Sequence, residues 1–220
     1  MSDNHHPMEK LIAALRRLYL PDLQQPTSAA LEQHLRADTT LAVDLCTAGG
    51  ATRALVLNFP KAADDQHWLR LCDMANALQQ DLALPAPAVS VNGGSHYSLW
   101  LSFEDALPLE QMRAFAVLLQ QAYGADQPLT PVPAVGPIEL PPCLHRASGL
   151  WAAFINPAMG AALADDLGLE MPPPLAAQAA FLDSLHSIST EQFTLALTLL
   201  QQRGASATAP APVSALATAG

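Results

Sequence analysis

The chain has 220 residues, of which 50% are apolar and only 14% are charged. This composition provides enough apolar surface for one well-buried core, leaves little room for a second, and argues against general disorder. Twenty acidic residues against ten basic ones give a net charge of −10. Because non-specific affinity for DNA comes mostly from lysine and arginine, this charge argues against a strong autonomous DNA-binding face.

Three features of the sequence bear on the cellular location. No apolar run approaches the roughly 18–20 residues that a membrane-spanning helix needs. The first residues include His5 and His6 and lack the basic and apolar stretches of a secretory signal peptide. The three cysteines, Cys46, Cys72 and Cys143, are an odd and sparse set, which is typical of reduced core residues. We therefore predict a cytoplasmic protein without a membrane partner.

The first part of the chain predicts two helices followed by a β-hairpin. Apolar residues recur at helical spacing over residues 8–20, and Pro21 ends this helix. Thr27 can cap a second, short helix. Two apolar runs, 41–46 and 53–59, are then separated by a turn that contains two glycines, a pattern typical of a hairpin.

The middle of the chain alternates helices and strands. Asp64 or Asp65 can cap a longer helix, and residues 88–91 begin a strand. The clearest strand covers residues 97–103, and Pro108 opens another helix. Strand alternation places on one face Tyr97, Leu99, Leu101 and Phe103, and on the other Ser98, Trp100 and Ser102.

The last part begins with a predicted proline-rich linker over 126–142 that contains a short strand at 138–140. A strand at 150–155 and a helix at 175–186 are predicted to follow. Ser189 and Gln192 form a capping box for a final helix over 193–202. The whole pattern predicts an α/β (α+β) domain with a mixed central sheet flanked by helices. We divide the chain into an N-terminal helical segment packed on the core (1–40), the α/β domain (41–203) and a disordered tail rich in alanine and proline (204–220).

Several short segments resemble the palm of archaeo-eukaryotic-type primases. The family carries Asp-hydrophobic-Asp at one strand end, where this chain has Asn58-Phe59-Pro60 followed by Lys61. After a helix and a strand, the family has a Gly-rich turn leading into His-hydrophobic-Trp, and the corresponding segment here runs from Gly93 to Leu101. The match continues through residues 139–141, Arg146 and 153–156. In order and spacing the resemblance covers residues 40–190. This primase family includes the primase–polymerase domains of bacterial end-joining ligases and the primases of mobile elements.

The family resemblance implies a metal-binding site that this sequence lacks. The family aspartates fall on Asn58, Pro60 and Asn156, and the family histidine falls on Ser98. Nucleotidyl transfer by two metal ions needs carboxylates that hold the ions about 3.5–4 Å apart. Asparagine offers these hard cations only a neutral carbonyl, and proline offers no side-chain ligand. We therefore predict a catalytically degenerate primase-palm-like domain without catalytic residues, metal or other cofactor.

A retained cleft in such a domain could still bind a nucleotide or a template end. His96, Trp100 and Arg146 are the candidate binding residues. Each also has a purely structural alternative: His96 as an exposed turn residue, Trp100 as a buried core residue and Arg146 as a solubilising surface residue. We expect the main partner to be another protein of a replication, repair or mobile-element system, with at most weak binding of single-stranded nucleic acid or nucleotide.

Two other functions remain open at the level of sequence. An active nucleotidyltransferase could hold Mg²⁺ or Mn²⁺ through Asp44 and a neighbouring carboxylate. A structural protein-interaction domain without a link to nucleic acids is the second alternative. The pair Cys143 and His145 lacks a second pair of ligands for zinc. P-loop, Gly-x-Ser-x-Gly, His-Glu-x-x-His and Cys-x-x-Cys motifs are absent from the sequence.

Overall fold

An antiparallel sheet with helices on both faces forms the centre of the computed structural model, which describes residues 5–21, 25–62, 66–124, 130–132, 137–156 and 168–208. The helices are α1 (His5–Leu18), α2 (Ser28–Leu35), α3 (Gln66–Gln80), α4 (Leu109–Tyr123), α5 (Leu175–Asp183) and α6 (Thr190–Thr208). The strands are β1 (Ala42–Val43), β2 (Ala51–Pro60), β3 (Ala88–Val91), β4 (His96–Pro108), β5 (Thr130–Val132), β6 (Ile138–Glu139), β7 (Cys143–His145) and β8 (Leu150–Ile155).

The main sheet has the strand order β5–β2–β4–β3–β8–β7, and β1 pairs separately with β6. The segment β2-α3-β3-β4-α4-β5, with the sheet order β5–β2–β4–β3, has the arrangement of a ferredoxin-like unit. The predicted α+β class with flanking helices is confirmed. The sequence pattern predicts a mixed sheet, but the ladders between these strands are antiparallel. Helix α3 connects β2 to β3, and α4 connects β4 to β5. In each case another strand lies between the two connected strands, so they do not pair with each other.

The predicted alternation of β4 is confirmed by the two hydrophobic cores. One face contributes Tyr97, Leu99, Leu101 and Phe103 to the core that contains residues of α3, α4 and α6. Trp100, on the opposite face, belongs to the core formed with α1, α2 and α5. The alternation of side chains along the strand therefore assigns each residue to one of two helical layers.

The N-terminal helical segment is part of the second core. In α1 the buried residues include Leu11, Leu15 and Leu18, at the spacing of one helical stripe. These residues share a core cluster with Val56 of β2 and Phe154 of β8. The face of the sheet that carries Trp100 is therefore covered by helices.

The predicted hairpin near residue 50 is wrong in its pairing. Cys46 and Thr52 form an isolated bridge that closes the predicted turn. Beyond that bridge β1 pairs with β6, with Ala42 opposite Glu139. The turn residues are a local feature of the sequence, whereas the partner of β1 comes from a segment almost a hundred residues later.

Two further boundaries differ from the prediction. Strand β5 lies within the proline-rich linker and pairs with β2 at the edge of the sheet. An edge strand tolerates Pro131, because its missing N–H can point away from the ladder. Helix α6 continues to Thr208, beyond the predicted end at residue 202. The rest of the predicted tail, residues 209–220, and the predicted caps Asp64 and Asp65 lie outside the described residues.

Gln178 of α5 completes the hydrogen bonding of β8. Its Oε1 accepts from the backbone N–H of Phe154 at 2.9 Å, and its Nε2 donates to the Phe154 carbonyl at 2.8 Å. Strand β7 pairs with β8 only as far as Ala152, so the amide takes the place of a strand at this position. Gln178 is 7% exposed, which makes the two bonds part of the buried interface between α5 and the sheet.

The variant Gln178→Leu is expected to lower the free energy of unfolding by about 2 kcal/mol, because it leaves two buried backbone groups without a partner. Urea unfolding followed by circular dichroism measures the loss. Gln79→Leu is the matched control, since Gln79 is exposed and bonds only within its own helix. Equal stability of the two variants would contradict the role of the Gln178 amide.

Candidate functional site

Asn58 and Ser98 are direct neighbours across the β2–β4 ladder. The Ser98 hydroxyl donates a hydrogen bond of 2.8 Å to Oδ1 of Asn58. Ser98 is 4% exposed and Asn58 is half-buried. The same row continues through Ser90 of β3 to Phe154 of β8. The structure thus brings two of the four family positions together, as a neutral polar pair that satisfies its own hydrogen bond.

Trp100 is a core residue in this structure. Its side chain is 2% exposed, and its indole Nε1–H donates to the Ser90 hydroxyl at 2.8 Å. The ring centroid lies 5.1 Å from that of Tyr19 and 5.7 Å from that of Phe154. Burial also raises the pKa of Tyr19, which keeps this neighbouring phenol neutral. The structure does not support the predicted base-stacking role for Trp100, because neither face of the ring is open to a base.

His96 lies at the start of β4, in a turn organised by Asn92. The Asn92 Oδ1 accepts from the backbone N–H groups of Gly94, Ser95 and His96 at 3.0, 3.0 and 3.1 Å. Its Nδ2 lies 3.0 Å from Nδ1 of His96, and an amide nitrogen is a donor, so this ring nitrogen is the acceptor. Burial, together with the neighbouring His145, lowers the pKa of His96. A neutral imidazole is therefore the favoured form near pH 7, and it offers a phosphate no positive charge.

The turn before His96 requires glycine. Gly93 has a φ of +76°, and a Cβ at this residue would lie 2.7 Å from Cβ of His145. The side chain of His145 is itself fixed by the Ser148 hydroxyl, 2.8 Å from its Nδ1. The Gly-rich turn that resembles the primase motif is thus explained here by close packing against the β7–β8 hairpin.

Neither Pro60 nor Asn156, the other two family positions, belongs to the Asn58–Ser98 pair. Pro60 is exposed at the end of β2, opposite His96. Asn156 follows β8 directly, and alternation places it on the same face as Phe154. Strands β4 and β3 separate β8 from β2, a distance of about 14 Å along the sheet at the usual strand spacing. Carboxylates at positions 58 and 156 would therefore not converge on one pair of metal ions.

Arg146 stabilises the fold at the other edge of the sheet. It follows β7 and donates to the Ala37 carbonyl at 2.8 Å and to the Thr40 hydroxyl at 3.3 Å. These bonds connect the β7–β8 hairpin to the segment between α2 and β1. Strands β4, β3 and β8 lie between β7 and β2, so the structure does not bring Arg146 together with Asn58.

Asp44, the carboxylate that the sequence offers for a relocated metal site, lies far from Asn58. Asp44 is exposed and precedes Cys46, which bridges to Thr52 near the start of β2. Asn58 lies six residues further along β2, roughly 20 Å at the usual rise per residue. Within the part of the chain that the structure describes, no group of three His, Cys, Asp or Glu side chains could hold a metal ion. The relocated carboxylate site gains no support from this geometry.

The Cys143 thiol is a buried core group. Burial raises its pKa to about 12, with a smaller contribution from Glu139. The thiol form therefore persists at neutral pH, whereas zinc binds the thiolate. A zinc site at Cys143 and His145 is not supported.

The described residues form a helix-covered, ferredoxin-like antiparallel sheet with a neutral Asn58–Ser98 pair near one end. A comparison with protein-family models gave no match, and a comparison with curated proteins gave none either. Among the described residues, none of the helices combines the length and apolarity needed to cross a membrane.

Proposed function

We propose that this chain is a catalytically degenerate primase–polymerase-like domain that acts by binding, as an accessory protein in DNA replication, repair or a mobile element. The observation that carries the proposal is the Asn58–Ser98 hydrogen bond across two central strands. Metal-dependent nucleotidyl transfer needs negative charge at such a position, and here two neutral groups satisfy each other. The order of elements from β2 to β5 supports the family resemblance without adding a catalytic group.

The covered sheet face supports a binding role over a catalytic one. Helices α1, α2 and α5 share a core with the face that carries Trp100, so a template strand cannot lie across this part of the sheet. With a net charge of −10, the protein also repels polyphosphate in general. A partner protein is therefore the favoured occupant of the remaining surface, and binding of single-stranded nucleic acid or nucleotide is expected to be weak.

A structural interaction domain without a link to nucleic acids is the second candidate. The observation in its favour is the separation of Asn58 from Asn156 by two strands. In a palm that descends from an active enzyme, positions derived from metal ligands are expected to converge. Measured affinity for nucleotides distinguishes the two candidates.

The first experiment combines primer extension with titration of the 220-residue chain. Fluorescent single-stranded DNA and a nucleoside triphosphate are titrated with and without Mn²⁺. We expect no extension and no increase in nucleotide affinity on addition of Mn²⁺, because the described residues offer no carboxylate cluster. Mn²⁺-dependent product that disappears in the variant Asp44→Asn would overturn the proposal in favour of the active nucleotidyltransferase.

Variants locate any weak binding that the titration detects. If a retained cleft binds the nucleotide, His96→Ala should weaken the affinity at least threefold, while His5→Ala, at an exposed residue of α1, should leave it unchanged. Likewise, Arg146→Ala should weaken the affinity, and Arg113→Ala should leave it unchanged. Equal affinities of all four variants, or no nucleotide affinity at all, would favour the structural interaction domain.

A further inference from the structure

An open cleft lies toward the other end of the sheet from the Asn58–Ser98 pair. It is a wide, solvent-open depression of about 740 Å³ lined by Arg17 of α1, Arg53 of β2, Glu104 of β4 and His186 after α5. Arg53 precedes Asn58 by five residues on β2, about 17 Å at the usual rise per residue. We name this cavity the arginine cleft. It is separate from the positions that carry the primase resemblance.

Backbone carbonyls hold both guanidinium groups in place. The terminal nitrogens of Arg17 donate to the Leu185 and Leu182 carbonyls at 3.0 and 2.9 Å, at the C-terminal end of α5. Arg53 donates from Nε to the Phe103 carbonyl at 3.4 Å and from a terminal nitrogen to the Glu104 carbonyl. The two side chains therefore lose less conformational freedom on binding a ligand than free arginines do.

Among the described residues, no carboxylate forms an ion pair with Arg17 or Arg53. The ion pairs within 4.0 Å among the described residues are His5–Glu9, Arg36–Glu32, Arg113–Glu110 and Arg203–Asp81. Glu104 lines the cleft, yet its carboxylate lies beyond 4.0 Å of either guanidinium. In a chain with twice as many acidic as basic residues, two unpaired arginines in one cavity form a local positive site.

The lining of the cleft favours a small anion. Its volume falls in the range of roughly 300–1,000 Å³ that is usual for small-molecule sites. A guanidinium group has five N–H donors, and those of Arg17 and Arg53 that do not bond the carbonyls can form charge-assisted hydrogen bonds to phosphate oxygens. The exposed imidazole of His186 can donate a further bond, and Pro85 and Ala86 provide an apolar wall for an organic group. We propose that the arginine cleft binds a small organic phosphate, with its phosphate group on Arg17 and Arg53.

Isothermal titration of the 220-residue chain tests this assignment. Glycerol 3-phosphate is the organic phosphate, inorganic phosphate is the free anion, and malonate is a carboxylate probe. We expect glycerol 3-phosphate to bind with a dissociation constant below about 1 mM, as for a weak small-molecule site, and more tightly than inorganic phosphate. Tighter binding of malonate, or no binding of any probe at 10-fold higher concentration, would overturn the assignment.

Two variants place the ligand in the cleft. Arg53→Gln keeps a donor for the neighbouring carbonyls but removes the charge, and it should weaken glycerol 3-phosphate binding about tenfold. Arg113→Gln is the control, because Arg113 lies partly exposed on α4, away from the cleft, and pairs with Glu110. Arg53→Lys, which keeps the charge, should retain more affinity than Arg53→Gln. Circular dichroism confirms that each variant is folded, and equal affinities of Arg53→Gln and Arg113→Gln in folded protein would refute the proposal.

Discussion

Trp100→Ala is expected to lower the free energy of unfolding by about 3–5 kcal/mol, the usual cost of removing a large buried aromatic side chain. The ring is 2% exposed and contacts Tyr19 and Phe154. The substitution therefore leaves a cavity where α1 meets the sheet, and it also removes the donor that satisfies the Ser90 hydroxyl. Urea unfolding followed by circular dichroism measures the change.

Trp100→Phe separates packing from hydrogen bonding in this interface. Phenylalanine keeps most of the apolar volume but lacks the indole N–H, so the expected loss falls to about 1–2 kcal/mol. Trp151→Ala is a second comparison, because Trp151 is only half-buried. A loss below about 1 kcal/mol in Trp100→Ala, well under the cost of an aromatic cavity, would show that the ring is accessible and would restore the base-stacking interpretation.

His34 is expected to make the stability of the protein depend on pH. The side chain is fully buried, and the backbone N–H of Leu41 donates to its Nδ1 at 2.8 Å. Nδ1 is therefore unprotonated, and Nε2 donates to the Leu140 carbonyl at 2.6 Å. Because Leu41 precedes β1 and Leu140 follows β6, this neutral ring connects α2 to the two-stranded sheet.

The direction of the pH effect follows from the pKa. Burial lowers the pKa of His34 below 6.5, and the Leu140 carbonyl and Glu139 oppose this shift in part. Between the folded pKa and the unfolded value, the unfolded chain binds more protons. The stabilisation from His34 is therefore complete above pH 6.5 and is lost as the pH falls through the folded pKa.

His34→Leu tests both the hydrogen bonds and the pH effect. Leucine leaves the Leu41 N–H and the Leu140 carbonyl without their partner, with an expected loss of about 2–4 kcal/mol at pH 7.5. The stability difference between wild type and the variant should shrink as the pH falls from 6.5 to 5. His5→Leu, at an exposed position, should change neither quantity. A difference that stays constant with pH would contradict a neutral buried His34.

Local features of the sequence determined most of the elements of this fold. Thr27 caps α2 through a bond to the Ala30 N–H, and Ser189 and Gln192 form the predicted capping box at α6. The alternation of β4 assigned its residues to two cores before any partner was known. These features depend on residues within a few positions of each other, so periodicity and capping chemistry suffice to predict them. The absence of carboxylates at positions 58 and 156 was equally plain from the sequence.

Only the tertiary structure decided which of these elements meet. It paired β1 with β6, buried Trp100 beneath α1, and separated Asn156 from Asn58 by two strands. It also brought Arg17 and Arg53 to one cavity, although neither residue belongs to a recognisable motif. The physical reason is that such contacts depend on how apolar faces from distant segments pack. A periodic pattern identifies an apolar face but does not specify the surface that will cover it.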